Sequence, residues 1–138
     1  MAYIPKALRQ QIFERANGLC EYCQSSQIVI TTLEVDHILP VSLDGKTAPE
    51  NLCASCAGCN RYKKREIEAI DPQTQTIQRL FNPRQQVWHD HFRWDEMGVI
   101  LIGLTPIGRA TIVQLKINRP DMIISRQVWV SVGWHPPK

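Results

Sequence analysis

Two Cys-x-x-Cys pairs, Cys20-Glu21-Tyr22-Cys23 and Cys56-Ala57-Gly58-Cys59, stand 32 residues apart and constrain this chain more than any other feature. Two residues between thiols let both sulfurs reach one tetrahedral metal, with backbone N–H groups turned toward them. Two such pairs complete a closed four-thiolate zinc site with no open position for a substrate, so its role is structural. Cys53, the fifth cysteine, has no partner outside the second pair and reads as a small buried residue. The odd count and the lack of an apolar leader in Met1–Gln10 argue against a disulfide framework and for a cytoplasmic chain. A redox use of the pairs predicts thiols that exchange with disulfides. A zinc site predicts thiols protected until a chelator strips the metal.

With 138 residues, the chain has the size of one domain and room for a modest core, which a metal staple would reinforce. Its 43% apolar content fits a globular protein, and no apolar run reaches the length of a membrane span. The net charge of +3 is mild but locally concentrated, with Arg61, Lys63, Lys64 and Arg65 falling within five positions. Such a cluster can neutralise phosphates, or simply form a solvated helix face.

Local signals order the rest. Ile4, Leu8, Ile12 and Phe13 share one face of a helix over Pro5–Ala16, stopped by Asn17-Gly18. Ile28–His37 is rich in Ile, Val, Thr and Leu and reads as a strand, and Pro40–Pro49 reads as a loop. Asn51–Lys64 carries the second cysteine pair into a helix broken by Asp71-Pro72. Gln73–Gln86 reads as an extended connection, and Trp88–Leu104 as a hairpin turning near Glu96–Gly98. Thr105-Pro106 starts a helix reaching about Lys116, and Pro120–Val132 forms another, ended by Gly133. Trp88, Trp94, Trp129 and Trp134 are expected to fill the core between these C-terminal elements.

Between the cysteine pairs lies the candidate chemistry. Asp36 offers a hard oxygen ligand for a magnesium-like ion, and a neutral His37 beside it suits a general base. Adjacent strand residues point to opposite faces, so both serve one site only if the chain bends after His37. Asn60 follows a zinc cysteine directly and adds a neutral oxygen donor. Glu34 shares the strand face of Asp36 and is read as facing water. Arg109 and Arg119 are further cations that would extend a basic surface.

Three stretches carry a resemblance: Leu33-Glu34-Val35-Asp36-His37-Ile38-Leu39-Pro40, then Glu50-Asn51-Leu52, then Cys56-Ala57-Gly58-Cys59-Asn60-Arg61-Tyr62-Lys63. In order and spacing they resemble the HNH endonuclease family, over Gly18 to about Lys64. The segments around Phe81-Asn82-Pro83-Arg84 and Gly108-Arg109-Ala110-Thr111 also look like the tail of a bacterial group of these proteins. The resemblance implies an α+β fold with a zinc-anchored ββα-metal core over residues 1–70. A C-terminal accessory region over 71–138, with a β-hairpin and two helices, would pack on it.

It further implies metal-dependent hydrolysis of DNA that leaves 5′-phosphate and 3′-hydroxyl ends. His37 would be the general base, and Asp36 and Asn60 would hold a catalytic Mg2+ or Mn2+. Asn51 would bond backbone across the loop and so orient His37. Cys20, Cys23, Cys56 and Cys59 would hold structural Zn2+, and Arg61, Lys63, Lys64 and Arg65 would contact phosphates of double-stranded DNA. Asn60 stands where the name-giving pattern has histidine, as in the branch named HNN. An amide oxygen there suits magnesium better than nickel-like ions. Double-strand cutting by one small site would call for a homodimer or two sequential nicks. The alternative is a zinc-stabilised nucleic-acid-binding module without catalysis.

Overall fold

The computed structural model describes residues 3–30 and 32–138. Met1, Ala2 and Thr31, the last inside the expected first strand, lie outside the described residues. Helix α1 (Lys6–Arg15) buries Ile12 and half-buries Leu8 and Phe13. Asn17 and Gly18 follow it, both left-handed (φ 54° and 70°), which turns the chain sharply into the first cysteine knuckle. Bonds from the Cys20 N–H to the Ser25 carbonyl and from the Gln24 N–H to the Cys20 carbonyl close that knuckle.

Strand β1 (Leu33–His37) pairs antiparallel with β2 (Leu52–Cys56), placing Asp36 opposite Cys53 and His37 opposite Leu52. The regular strand starts later than Ile28 because the Val29 and Ile30 N–H groups bond to the Ser26 carbonyl in a turn. The β1–β2 loop contains short 3-10 turns at Val41–Leu43 and Pro49–Asn51. Helix α2 (Ala57–Lys63) leaves β2 directly, with the Cys56 sulfur capping it by accepting the Cys59 N–H. The β1–β2–α2 sequence is thus compact, and its strand β2 is wholly buried.

Helix α2 stops at Lys63, short of the expected break at Asp71-Pro72, and β3 (Glu68–Ile70) there pairs with β4 (Ile77–Arg79), inside the expected extended connection, as a second hairpin. Asp71 closes its turn by accepting from the Gln73 and Thr74 N–H groups and the Thr74 hydroxyl. One short helix, α3 (Trp88–His91), precedes the third hairpin, β5 (Phe92–Trp94) with β6 (Leu101–Gly103). Thr105 caps α4 (Pro106–Gln114) by accepting the Gly108 N–H, an interaction of about 1 kcal/mol. Helix α5 (Pro120–Ser131) ends the fold.

The architecture is α+β, built on small antiparallel sheets whose buried apolar residues form one core cluster with the cysteines. Trp88 and Trp94 tie the C-terminal half to the first knuckle, their indole N–H groups donating to the Tyr22 carbonyl and to Gln24 Oε1 at 2.9 Å each. Trp134 departs from expectation: it is 58% exposed, beyond the end of α5. Among the described residues, no helix is long and apolar enough to cross a membrane.

Candidate active site and its zinc anchor

The sulfurs of Cys20, Cys23, Cys56 and Cys59 lie within 4.8 Å of one another, and all four residues are buried. A tetrahedral zinc with bonds of about 2.3 Å separates its sulfurs by about 3.8 Å. The Cys23–Cys56 sulfur separation of 3.6 Å fits that geometry. The Cys23 N–H points at the Cys20 sulfur and the Cys59 N–H at the Cys56 sulfur, as thiolates require. Hydrogen bonds from neighbouring thiols hold Cys23 well below the usual thiol range, whereas burial pushes Cys20 up. A divalent cation would resolve that competition by binding all four as thiolates. Arg126, wholly buried on α5 and lying over the Trp94 ring at 5.2 Å, places a positive charge near Cys23, Cys59 and Cys56.

Cys53 stands outside the cluster. Its sulfur faces the Tyr22 hydroxyl at 3.4 Å and Asp36 Oδ2 at 3.8 Å, and burial raises its pKa far above the usual thiol value. It is a buried thiol, as its isolation in the sequence suggests.

The four-cysteine cluster joins the first knuckle to the β2–α2 junction, and the candidate catalytic residues lie on the β1–β2–α2 unit. Glu34 and Asp36 share one face of β1 and meet Asn60 and Lys63, which lie three apart on α2. Asn60 Nδ2 donates to Glu34 Oε1 at 2.7 Å, so Glu34 faces the helix rather than water. Among the described residues, the Asn60 side-chain oxygen makes no hydrogen bond and stays available as a donor to a metal. Asp36 is 5% exposed. It accepts the Tyr22 hydroxyl at 2.8 Å and pairs with the Lys63 ammonium at 3.1 Å.

Lys63 is therefore not a surface cation. It is 2% exposed and also donates to the His37 and Ile38 carbonyls at 3.2 and 3.4 Å. Its ammonium is committed to the strand end, while Arg61, Lys64 and Arg65 are exposed. The helical register explains the difference, because Lys63 lies one turn beyond Asn60 on the face against β1.

His37 projects from the end of β1, half-buried, with Nε2 2.9 Å from the Thr47 hydroxyl. Burial lowers its pKa from the usual histidine value; Asp36 opposes that effect and Lys63 adds to it. A lowered pKa keeps the ring neutral near neutral pH, the state a base needs. Asn51 clamps the intervening loop. Its Oδ1 accepts the Leu39 N–H at 2.8 Å, and its Nδ2 donates to the Leu39 and Lys46 carbonyls at 3.0 and 2.9 Å.

Asp36, His37 and Asn60 are joined by no direct hydrogen bond among the described residues; Lys63 and Glu34 bridge them to the frame. Thr47 and Tyr22 escaped the sequence reading because their partners lie 10 and 14 residues away with no spacing rule to reveal them. Asp36 and Asn60 carry hard oxygen donors of the kind a magnesium-like ion takes, and both Asp36 oxygens face the Lys63 ammonium, at 3.3 and 3.1 Å.

Residues 20–66 match the model of the HNH endonuclease family. A 56-residue stretch is 43% identical to a CRISPR-associated endonuclease Cas9 from Corynebacterium diphtheriae. That stretch covers 40% of this chain and 5% of the relative.

Proposed function

We propose, from the match of residues 20–66 to the model of the HNH endonuclease family, that this chain is a metal-dependent nuclease hydrolysing DNA phosphodiester bonds. The observation that carries the reading is the four-cysteine frame, around which Asp36 and His37 sit on β1, Asn51 in the 3-10 turn before β2 and Asn60 on α2. In this reading residues 1–70 are the nuclease core and 71–138 an accessory region packed on it.

His37 is the general base. With Nε2 engaged by Thr47, the Nδ1 lone pair faces the reaction, which requires the tautomer that carries its proton on Nε2 and donates to the Thr47 hydroxyl. Nδ1 takes a proton from water as the water oxygen bonds to phosphorus. The bond from phosphorus to the 3′ oxygen breaks, and that oxygen takes a proton from solvent. Asp36, once released from Lys63, and Asn60 would hold Mg2+ or Mn2+, which would supply positive charge against the scissile phosphate and the leaving oxygen. Asn51 positions His37 by fixing the loop, and Arg61, Lys64 and Arg65 contact phosphates. Lys63 is left out of that group because its ammonium is buried.

The test is plasmid nicking with Mg2+ or Mn2+, comparing the zinc-loaded wild type with His37→Ala. Nicked or linear product from the wild type alone supports the reading. Retarded but uncut DNA would favour a zinc-stabilised nucleic-acid-binding module without catalysis.

A further inference from the structure

Gly58 and Tyr62 lie four residues apart on α2, on the side away from β1. The α4–α5 junction crosses that side. Gln114 Nε2 donates to the Tyr62 carbonyl at 3.0 Å. The Lys116 ammonium and the Arg119 guanidinium each lie 5.1 Å from the centre of the Tyr62 ring. Arg119 also covers Gly58, where an added side chain would strike the guanidinium.

Two cations on one ring sit within about a Debye length of each other at ordinary salt and repel. Lys116 is exposed, and among the described residues it has no carboxylate partner. Arg119, its side chain 16% exposed, donates to the Lys116 carbonyl at 3.2 Å and has Asp121, 75% exposed, as its ion-pair partner, a pairing of little strength. Arg61, Lys64 and Arg65, on the adjoining turn, are exposed and equally without ion pairs among the described residues. Moreover, Lys64 and Lys116 both have positive φ (56° and 48°), at helix ends where glycine or asparagine is the unstrained choice.

The geometry points to a second phosphate-contact surface, in which Lys116 and Arg119 of the C-terminal half take backbone phosphates of the same duplex that Arg61, Lys64 and Arg65 engage. The inference rests on the nuclease reading above and assigns the accessory region a part in holding substrate. Tyr62 is the platform that keeps the two side chains in place. Such contacts fix the duplex on the protein without reading its sequence.

The test measures duplex DNA binding by fluorescence anisotropy over a series of salt concentrations. It uses the zinc-loaded His37→Ala protein, which does not consume the probe. Each lost phosphate contact lowers the slope of log affinity against log salt by about 0.9. Lys116→Ala should therefore lower it by about 0.9, and Lys116→Ala with Arg119→Ala by about 1.8. Arg119→Lys keeps the charge and should keep the slope, which separates charge from the packing of Arg119 on Gly58. Binding that weakens equally at every salt concentration, or a slope unchanged in a folded double variant, overturns the inference and leaves the nuclease reading standing. Absence of duplex binding in the parent, with no nicking by the wild type, overturns both.

Discussion

The Lys63 ammonium lies 3.1 Å from Asp36 Oδ2, with the two side chains only 2% and 6% exposed. A buried ion pair contributes little net stability, but removing one member strands the other charge, at a cost of about 3 kcal/mol or more. Lys63→Met leaves Asp36 with the Tyr22 hydroxyl and the weak Cys53 thiol donor, and withdraws the donor to the His37 and Ile38 carbonyls. Its thermal midpoint, measured with zinc present, should fall on the order of 10 °C. Adding Asp36→Asn should recover part of that loss, because the uncompensated charge is gone. A double-mutant cycle measures the coupling, and simple additivity would show that the pair is not a unit.

Asn51 makes three hydrogen bonds to backbone across the loop that follows His37. At about 1 kcal/mol each, their loss in Asn51→Ala matters less for folding than for the placement of His37. A displacement of about 1 Å at a reacting group can cost about 100-fold in rate. Nicking by Asn51→Ala should fall by that order while duplex affinity stays near the wild-type value. Asn51→Asp keeps an acceptor for the Leu39 N–H but sets a carboxylate against the Leu39 and Lys46 carbonyls, and should rescue nothing.

The zinc anchor and the C-terminal helices were legible because their signals are local. Cysteine spacing, a Thr-Pro start at Thr105-Pro106 and a proline at the first turn of α5 each act within a few residues. The β3–β4 hairpin was not legible. Its strands have three residues each, and its turn is held by Asp71 together with Arg109, 38 residues away. At the site, residue chemistry and position pointed to Asp36, His37 and Asn60, and the family resemblance added Asn51. Neither revealed that Glu34 accepts from Asn60 or that Lys63 turns inward, since both depend on how α2 lies across β1. The side chain three positions after Asn60 looked like one more surface lysine in a basic run. The register of one helical turn decides otherwise.

Removal of the metal should separate the cysteines into two classes. Cys56→Ser should lose stoichiometric zinc by mass spectrometry, because its sulfur both closes the cluster and caps α2. Chelation should melt the same region, as structural zinc binding is folding energy. Cys53→Ala should keep one zinc per chain and lose about 1 kcal/mol, the ordinary effect of a small buried truncation. Loss of zinc from Cys53→Ala would mean that the four ligands were misassigned.

Asp71 is the carboxylate on which acid sensitivity of the hairpin–helix contact should depend. Arg109 donates to both its oxygens, at 2.9 and 3.0 Å, and the Thr74 hydroxyl and two N–H groups add further bonds. Together they hold its pKa well below the usual carboxylate range, Arg109 contributing most and burial opposing. A carboxylate whose pKa is lowered on folding contributes stability in full above its unfolded value of about 3.9. That contribution declines as pH falls below the unfolded value and is gone once pH passes the folded one. Asp71→Asn should therefore lower the urea midpoint at neutral pH. The gap from wild type should narrow below about pH 4 as the unfolded carboxylate protonates. Arg109→Met should show the same pH dependence, because it removes the main cause of the shift. A gap between Asp71→Asn and wild type that stayed constant from neutral pH down to pH 2 would show that Asp71 acts through its turn hydrogen bonds rather than its charge.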